Sequence, residues 1–316
     1  MDIRYTIELP TSVYAAVEMD GRVFVGGSDW DRRRVSYSKE IAEHSWGVVT
    51  IIERNNGTFH QTDTLRLPSM VYSLVRLGGE RIFVGCKGKT DNLAVVDHNG
   101  SVIKHATDSG GGIYNALLYE NRIFATTRSG SLNVLNTETL TLENSLQLAD
   151  TGTRLWSIAL DTSRRILYTG DYTGHLYAVG CDDLRLLQTV DLSQFYDRTF
   201  LTNDFGPSLW GLDIMQGRVV VGTRWGDILS FDADLKLYER FPLKEDISSI
   251  SVCNAQSLLV GTRSGKLLEM DTTSGEFELI AEFRPVLQQE NTVWNITPTV
   301  QEHLVCFADG VVLSVA

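Results

Sequence analysis

Cysteine is scarce in this 316-residue chain, and the four present, Cys86, Cys181, Cys253 and Cys306, stand far apart with no C-x-x-C pair and no histidine at ligand spacing. That excludes a zinc ribbon and a disulfide-dense scaffold, and it leaves the thiols as small buried apolar groups. Basic charge is also in short supply: 28 Lys and Arg against 40 Asp and Glu give a formal charge of −12. Such a chain lacks the footprint for non-specific attachment to nucleic acid or anionic membrane, although a local basic patch is compatible with it. Long apolar runs are missing too. The start, MDIRYTIELPTSVY, carries acids where a secretory leader has a basic start and an apolar run, and no later segment has the length of a membrane span. The expectation is a soluble, cytoplasmic protein. No G-x-S-x-G elbow, H-E-x-x-H or phosphate loop occurs, and the six histidines are scattered, so no common catalytic framework is written here.

What the chain does have is self-similarity. An apolar residue, an aromatic, a small residue and usually an aliphatic recur as VYAA at 13, VYSL at 71, IYNA at 113, LWSI at 155, LWGL at 209 and VWNI at 293. A seventh copy, ISSI at 247, has no aromatic. Each is followed by a strand-like run (RVFVGG, RIFVGC, RIFATT, ILYTGD, RVVVGT, SLLVGT, HLVCFA) and, after a glycine-containing turn in most copies, by another such as NLAVVD, HLYAVG or KLLEMD. Short runs of Val, Ile, Leu and aromatics around such turns read as hairpins. Tyr72, Tyr114 and Trp156 follow one another at 42 residues, the period of a four-stranded propeller blade. Fourth strands fit between copies, as in TLRLP ending at Pro68, NSLQL ending at Leu148 and KLYERFPL ending at Leu243.

The last copy ends after its third strand, whereas residues 2–10 (DIRYTIELP) form an orphan strand placed like a fourth one. The sequence therefore predicts one all-β domain over 1–316, a seven-bladed β-propeller of four-stranded antiparallel blades whose C-terminal blade is closed by the N-terminal strand. LLVGTRSGKLLEMDTTSGE and ILYTGDYTGHLYAV resemble the repeats of quinoprotein-like propellers, and Asp97, Asp232 and Asp271 sit where a WD repeat carries its aspartate. The resemblance spans the whole chain and implies the fold. It brings no matched cofactor motif, and no cofactor or metal is expected.

In a propeller the inner strand of each blade lines the central channel, and the fourth-to-first and second-to-third connections gather on one rim. Three long segments fall on that rim, Ser28 to Trp46, Ser193 to Ser208 and Arg284 to Thr292. Repeat proteins place such insertions on the binding face. The same rim receives a repeated Thr-Arg-x-Gly, giving Arg128, Arg224 and Arg263, with Lys87 and Tyr172 in the comparable places of blades 2 and 4. Arg32, Arg33, Arg34, Arg154 and Arg198 add charge from the loops, and Trp30, Trp210 and Trp225 add rings. Guanidinium groups bind carboxylate and phosphate in a forked geometry and stack on rings, so this mouth is read as a site for a protein partner or an acidic peptide. Competing readings give the arginines to ion pairs between blades and the recurrent rings to packing between blades. The leading functional reading is a non-enzymatic interaction platform within a larger assembly. The alternative is a lyase or hydrolase acting on an anionic small molecule, using rim acids such as Asp29, Asp31, Asp197, Asp204 and Glu290.

Overall fold

The computed structural model describes residues 1–30, 45–55, 58–88, 90–107, 111–196, 206–283 and 291–316. These residues form seven four-stranded antiparallel sheets, six of them meanders in which consecutive strands are neighbours and the seventh a three-stranded meander completed by the first strand of the chain. Six blades are built from continuous chain: blade 1 starts with the inner strand Ser12–Met19, blade 2 with Val71–Leu77 and blade 3 with Ile113–Tyr119. Blades 4, 5 and 6 start with Leu155–Asp161, Leu209–Met215 and Ile247–Val252. Blade 7 runs Val293–Pro298, His303–Phe307, Val311–Val315, and takes its outer strand, Ile3–Glu8, from the other end of the chain. Ile3 faces Val315 and Glu8 faces Val311 in that pairing, and Asp2 and Ala316 exchange backbone hydrogen bonds of 2.9 and 3.1 Å beyond it. The expected closure is therefore realised. Among the described residues no helix is long and apolar enough to cross a membrane.

Seven hydrophobic clusters of described residues hold the ring, and each joins two adjacent blades. The repeated motifs explain how. At five of the seven interfaces the apolar residue that opens the inner-strand motif pushes into the second strand of the preceding blade, where a glycine makes room: a Cβ built on Gly222 stands 2.4 Å from Ile247 Cγ2, and one on Gly85 stands 2.7 Å from Ile113 Cγ2. Gly222→Ala is therefore expected to cost about 1–3 kcal/mol by overpacking. Calorimetry measures this, and an unchanged midpoint would mean that blades 5 and 6 are not in close contact at this point. Cys86, Cys181 and Cys306 are buried in these interfaces and Cys253 is half-buried; all four are free thiols.

The aspartates of the WD-like positions close the turn from third to fourth strand. Asp97 Oδ1 accepts from the backbone N–H groups of Asn99 and Ser101 at 2.9 and 2.8 Å, Asp232 from those of Asp234 and Lys236 at 2.9 Å, and Asp271 from those of Thr273 and Ser274 at 2.7 and 2.9 Å. Each is an Asx turn, the carboxylate standing in for a backbone acceptor.

Candidate functional site

The second-to-third strand turn explains why Thr-Arg-x-Gly recurs. Thr127 Oγ1 accepts from Ser131 N at 3.1 Å, Thr223 Oγ1 from Asp227 N at 3.3 Å and Thr262 Oγ1 from Lys266 N at 3.1 Å. In blade 4 Asp171 takes the threonine's place and accepts from His175 N at 2.9 Å. The glycine supplies the left-handed conformation the turn needs, with φ of 84° at Gly130 and Gly226 and 90° at Gly265. Threonine and glycine make the turn. The residue between them is left to project from the rim, and the chain fills that place with Lys87, Arg128, Tyr172, Arg224 and Arg263. In all five the backbone N–H donates to the residue just ahead of an inner strand, at 2.9 to 3.0 Å: Met70, Gly112, Arg154, Ser208 and Asp246.

From that common position the side chains diverge. Arg224 Nε and Arg263 Nη1 both reach Asp246 Oδ2, at 3.3 and 3.0 Å, and Arg224 also donates to the Tyr172 hydroxyl at 3.3 Å. Arg263 lies over the Trp210 ring at 5.4 Å. Next to Asp246, burial raises the affinity of Glu245 for its proton, but hydrogen bonds from Lys266 and from Ser264 Oγ (2.8 Å) outweigh it and hold the carboxyl below its usual range. Arg128 is exposed and makes no ion pair among the described residues. Trp225 meets Tyr196 edge-on at 4.7 Å, away from the axis, and Tyr196 lies under Arg240. Asp29 Oδ1 accepts from Trp46 N at 3.0 Å and so pins the two ends of the first long segment together. Arg32, Arg33, Arg34, Arg198, Asp31, Asp197, Asp204 and Glu290 lie outside the described residues. The described ends of segments 28–46 and 193–208 are at the same ends of their blades, since Ser12 pairs with Ser28 and Leu209 with Thr223.

The recurrent aromatics are not wedged between blades; they meet on the axis. In all seven blades the pairing of inner and second strands slips by one residue at the aromatic position, between Val13 and Ala15, Val71 and Ser73, Ile113 and Asn115, Leu155 and Ser157, Leu209 and Gly211, Ile247 and Ser249, and Val293 and Asn295. Such a bulge re-aims the extra side chain. Tyr14, Tyr72, Tyr114, Trp156, Trp210 and Trp294 thereby converge: Tyr14 stacks on Tyr72 at 4.8 Å, Tyr114 on Trp156 at 4.6 Å, Trp156 on Trp210 at 4.9 Å and Trp210 on Trp294 at 5.4 Å, while Tyr14 and Trp294 complete the circuit edge-on at 5.5 Å. Blade 6 offers only Ser248, whose hydroxyl turns aside to the carbonyls of Gly261 and Val293. Trp210 and Trp294, from the blades on either side, stack across the gap.

This plug is the floor of a cup of about 220 Å³ on the elaborated rim. Its walls are Trp30, Met70, Lys87, Arg154 and Tyr172. Arg154 holds the place just ahead of the blade 4 inner strand, and its guanidinium lies 5.9 Å from the Tyr114 ring and 5.6 Å from the Tyr172 ring. Among the described residues it forms no ion pair and no side-chain hydrogen bond. Among the described residues no carboxylate, imidazole, hydroxymethyl or thiol lines the cup. Across the described residues no three His, Cys, Asp or Glu side chains are grouped to hold a metal. Of the residues expected at a binding mouth, the structure brings together Lys87, Arg154, Tyr172, Trp30 and Trp210, and sets Arg128, Arg224, Arg263 and Trp225 outside the cup. Asp246 was missed as the counter-ion, although aligning the residues that precede each inner strand puts it in register with Arg154.

Seven four-stranded blades, with the last closed by the N-terminal strand, define a seven-bladed β-propeller. Among solved structures, the chain is similar to the crystal structure of the WD40 β-propeller domain of Doa1, with a TM-score of 0.77 and 10% sequence identity over 100% of this chain and 96% of that one. No family model and no curated protein matches the sequence. At that identity the likeness is one of fold, and since 1782 solved chains match, the fold selects no function by itself.

Proposed function

We propose that this propeller is a non-enzymatic interaction platform whose cup receives an acidic segment of a partner protein. The observation that carries the reading is Arg154, between two tyrosine rings in a cup whose described lining also holds Lys87, with no acid to neutralise it and no carboxylate among the described residues there. The ring contacts preorganise the guanidinium, so little side-chain freedom is lost on binding. Surface acidity elsewhere, in a chain of formal charge −12, makes the cup a local exception that an acidic strand would recognise. The aromatic floor gives apolar residues of the same segment a place to pack, in the manner of interface anchors. Arg263 and Arg224, already paired with Asp246, form the rim of this surface, and the long segments flank it.

The test is fluorescence anisotropy with a labelled octaglutamate peptide at low and moderate salt. A hydrogen bond to a charged group is worth about 1.5–3 kcal/mol, so Arg154→Gln with Lys87→Gln is expected to weaken binding at least about tenfold with folding intact. Arg128→Gln is expected to change it less than about twofold, because that side chain stands outside the cup. Binding that survives in the double variant, or that is indifferent to salt, would refute the assignment.

A further inference from the structure

Beyond the six rings, on the side away from the cup, the axis opens into a second space of about 360 Å³. Its wall is made by the inner strands of blades 3 to 7, past their bulges. The chemistry is the reverse of the cup's. Asp213 lines it along with Asn115, Asn295, Ser251 and Ser249, whose hydroxyl donates to the Val293 carbonyl at 2.9 Å, and among the described residues no lysine, arginine or histidine does. Trp210 and Trp294 form the ceiling, and Leu212 and Ile250 supply apolar wall.

Asp213 occupies the third place after the aromatic, where Val17, Val75, Leu117 and Ala159 stand in the first four blades. Its carboxylate accepts from Ile214 N through Oδ1 and from Val252 N through Oδ2, each at 2.8 Å, which ties the inner strands of blades 5 and 6. Two donors use only about half of a carboxylate's acceptor capacity. Burial raises the carboxyl's affinity for its proton against the pull of those two donors, since no cation shares the space. Beside it, the Ser251 side chain is buried and its Oγ has no hydrogen-bond partner among the described residues. A half-buried carboxylate without a counter-charge among the described residues and a buried hydroxyl without a partner among them are both costly to hold and both are relieved by one donor-rich cation.

We propose that this chamber binds a primary ammonium group. Three N–H donors suit Asp213, Ser251 Oγ and an asparagine carbonyl, and the neighbouring indoles favour a cation above an isosteric neutral guest. A hard metal ion is a poorer fit, because it demands six or more oxygen ligands and usually several carboxylates, and Asp213 is the one acid in the lining among the described residues. The volume suits a short alkyl chain, so the ammonium comes either from a small free amine or from a lysine side chain offered by a partner. The inference is independent of the cup.

Isothermal titration with propylammonium, Nα-acetyl-lysine methylamide and the neutral control propanol tests it. At least one of the two amines is expected to bind with saturable heat, propanol at least tenfold more weakly, and Asp213→Asn to weaken the amine at least tenfold. Binding by only one amine identifies the source as small molecule or lysine side chain. A second variant, Ser248→Leu, places an apolar chain at a bulge that carries a large ring in the other six blades and narrows the ceiling of the chamber, so it is expected to weaken binding without touching Asp213. No heat from either amine, equal heat from propanol, or unaltered amine binding in both variants would overturn the proposal.

Discussion

Removal of residues 1–9 is expected to give the most damaged variant of this protein. The deletion takes away the outer strand of blade 7, five paired positions against Val311–Val315, the two backbone bonds between Asp2 and Ala316, and the Leu9 N to Gly310 O bond of 2.9 Å. It also empties the sockets of Leu9, which is 1% exposed, and of Tyr5 and Ile7, which pack in the cluster between blades 7 and 1. The loss of one buried leucine costs about 2–5 kcal/mol by itself, so the sum takes a large part of the stability of an ordinary domain. The exposed third strand, VVLSV, becomes an uncharged apolar edge that invites association. Size-exclusion chromatography and a thermal scan measure both effects. A monomeric truncation with an unaltered melting midpoint would mean that the ring closes without this strand.

The same seam contains the most deeply buried ion pair among the described residues, and Glu302→Gln is expected to lower stability by about 3 kcal/mol. Glu302 follows the inner strand of blade 7 with its side chain 1% exposed; it accepts from Ser314 Oγ and pairs with Arg54 of blade 1. Arg54 lies 5.5 and 5.6 Å from the rings of Tyr5 and Phe59, so both ends of the seam are fastened to one guanidinium. The amide of glutamine would leave that charge facing a neutral group. Because Arg54 keeps a quarter of its surface, the expected cost is at the low end of that for breaking a buried pair. Glu18 also approaches Arg54, at 3.9 Å, with a quarter of its own side chain exposed, and Glu18→Gln is expected to cost less than about 1 kcal/mol. Urea titrations of the two variants measure the contrast; equal costs would assign the seam's strength to packing instead of charge.

Blade number, strand order and closure were legible because each repeat spells out its own hairpin with Gly turns and period-two strands, and because the unpaired DIRYTIELP had one vacant edge to fill. The turn-forming threonines were visible as well, but attention falls on the arginine that travels with them, and the sequence does not tell a side chain that builds a turn from one that the turn exposes. The bulges left no mark. One extra residue in every inner strand shifts all copies alike, so the spacing stays regular and the rings read as blade packing when they stand on the axis. Asp213 did leave a mark, an acid at a place where four of the other six blades carry an apolar residue, which only a register-by-register alignment of the seven inner strands brings out. The pairing of Arg224 and Arg263 with one Asp246 depends on distances between adjacent blades, which no local pattern encodes.

The plug also has an optical consequence. Trp156, Trp210 and Trp294 lie ring on ring at 4.9 and 5.4 Å, with Tyr14, Tyr72 and Tyr114 around them. Indoles this close do not absorb as independent chromophores: their excited states mix, and the mixed states carry a circular dichroism set by the handedness of the stack. The tyrosines pass their excitation to the same three rings. The molecule thus contains, at its centre, an exciton-coupled chromophore that exists only while blades 4, 5 and 7 are held in their places around the axis, and whose spectrum would vanish on opening of the ring even if every blade kept its strands.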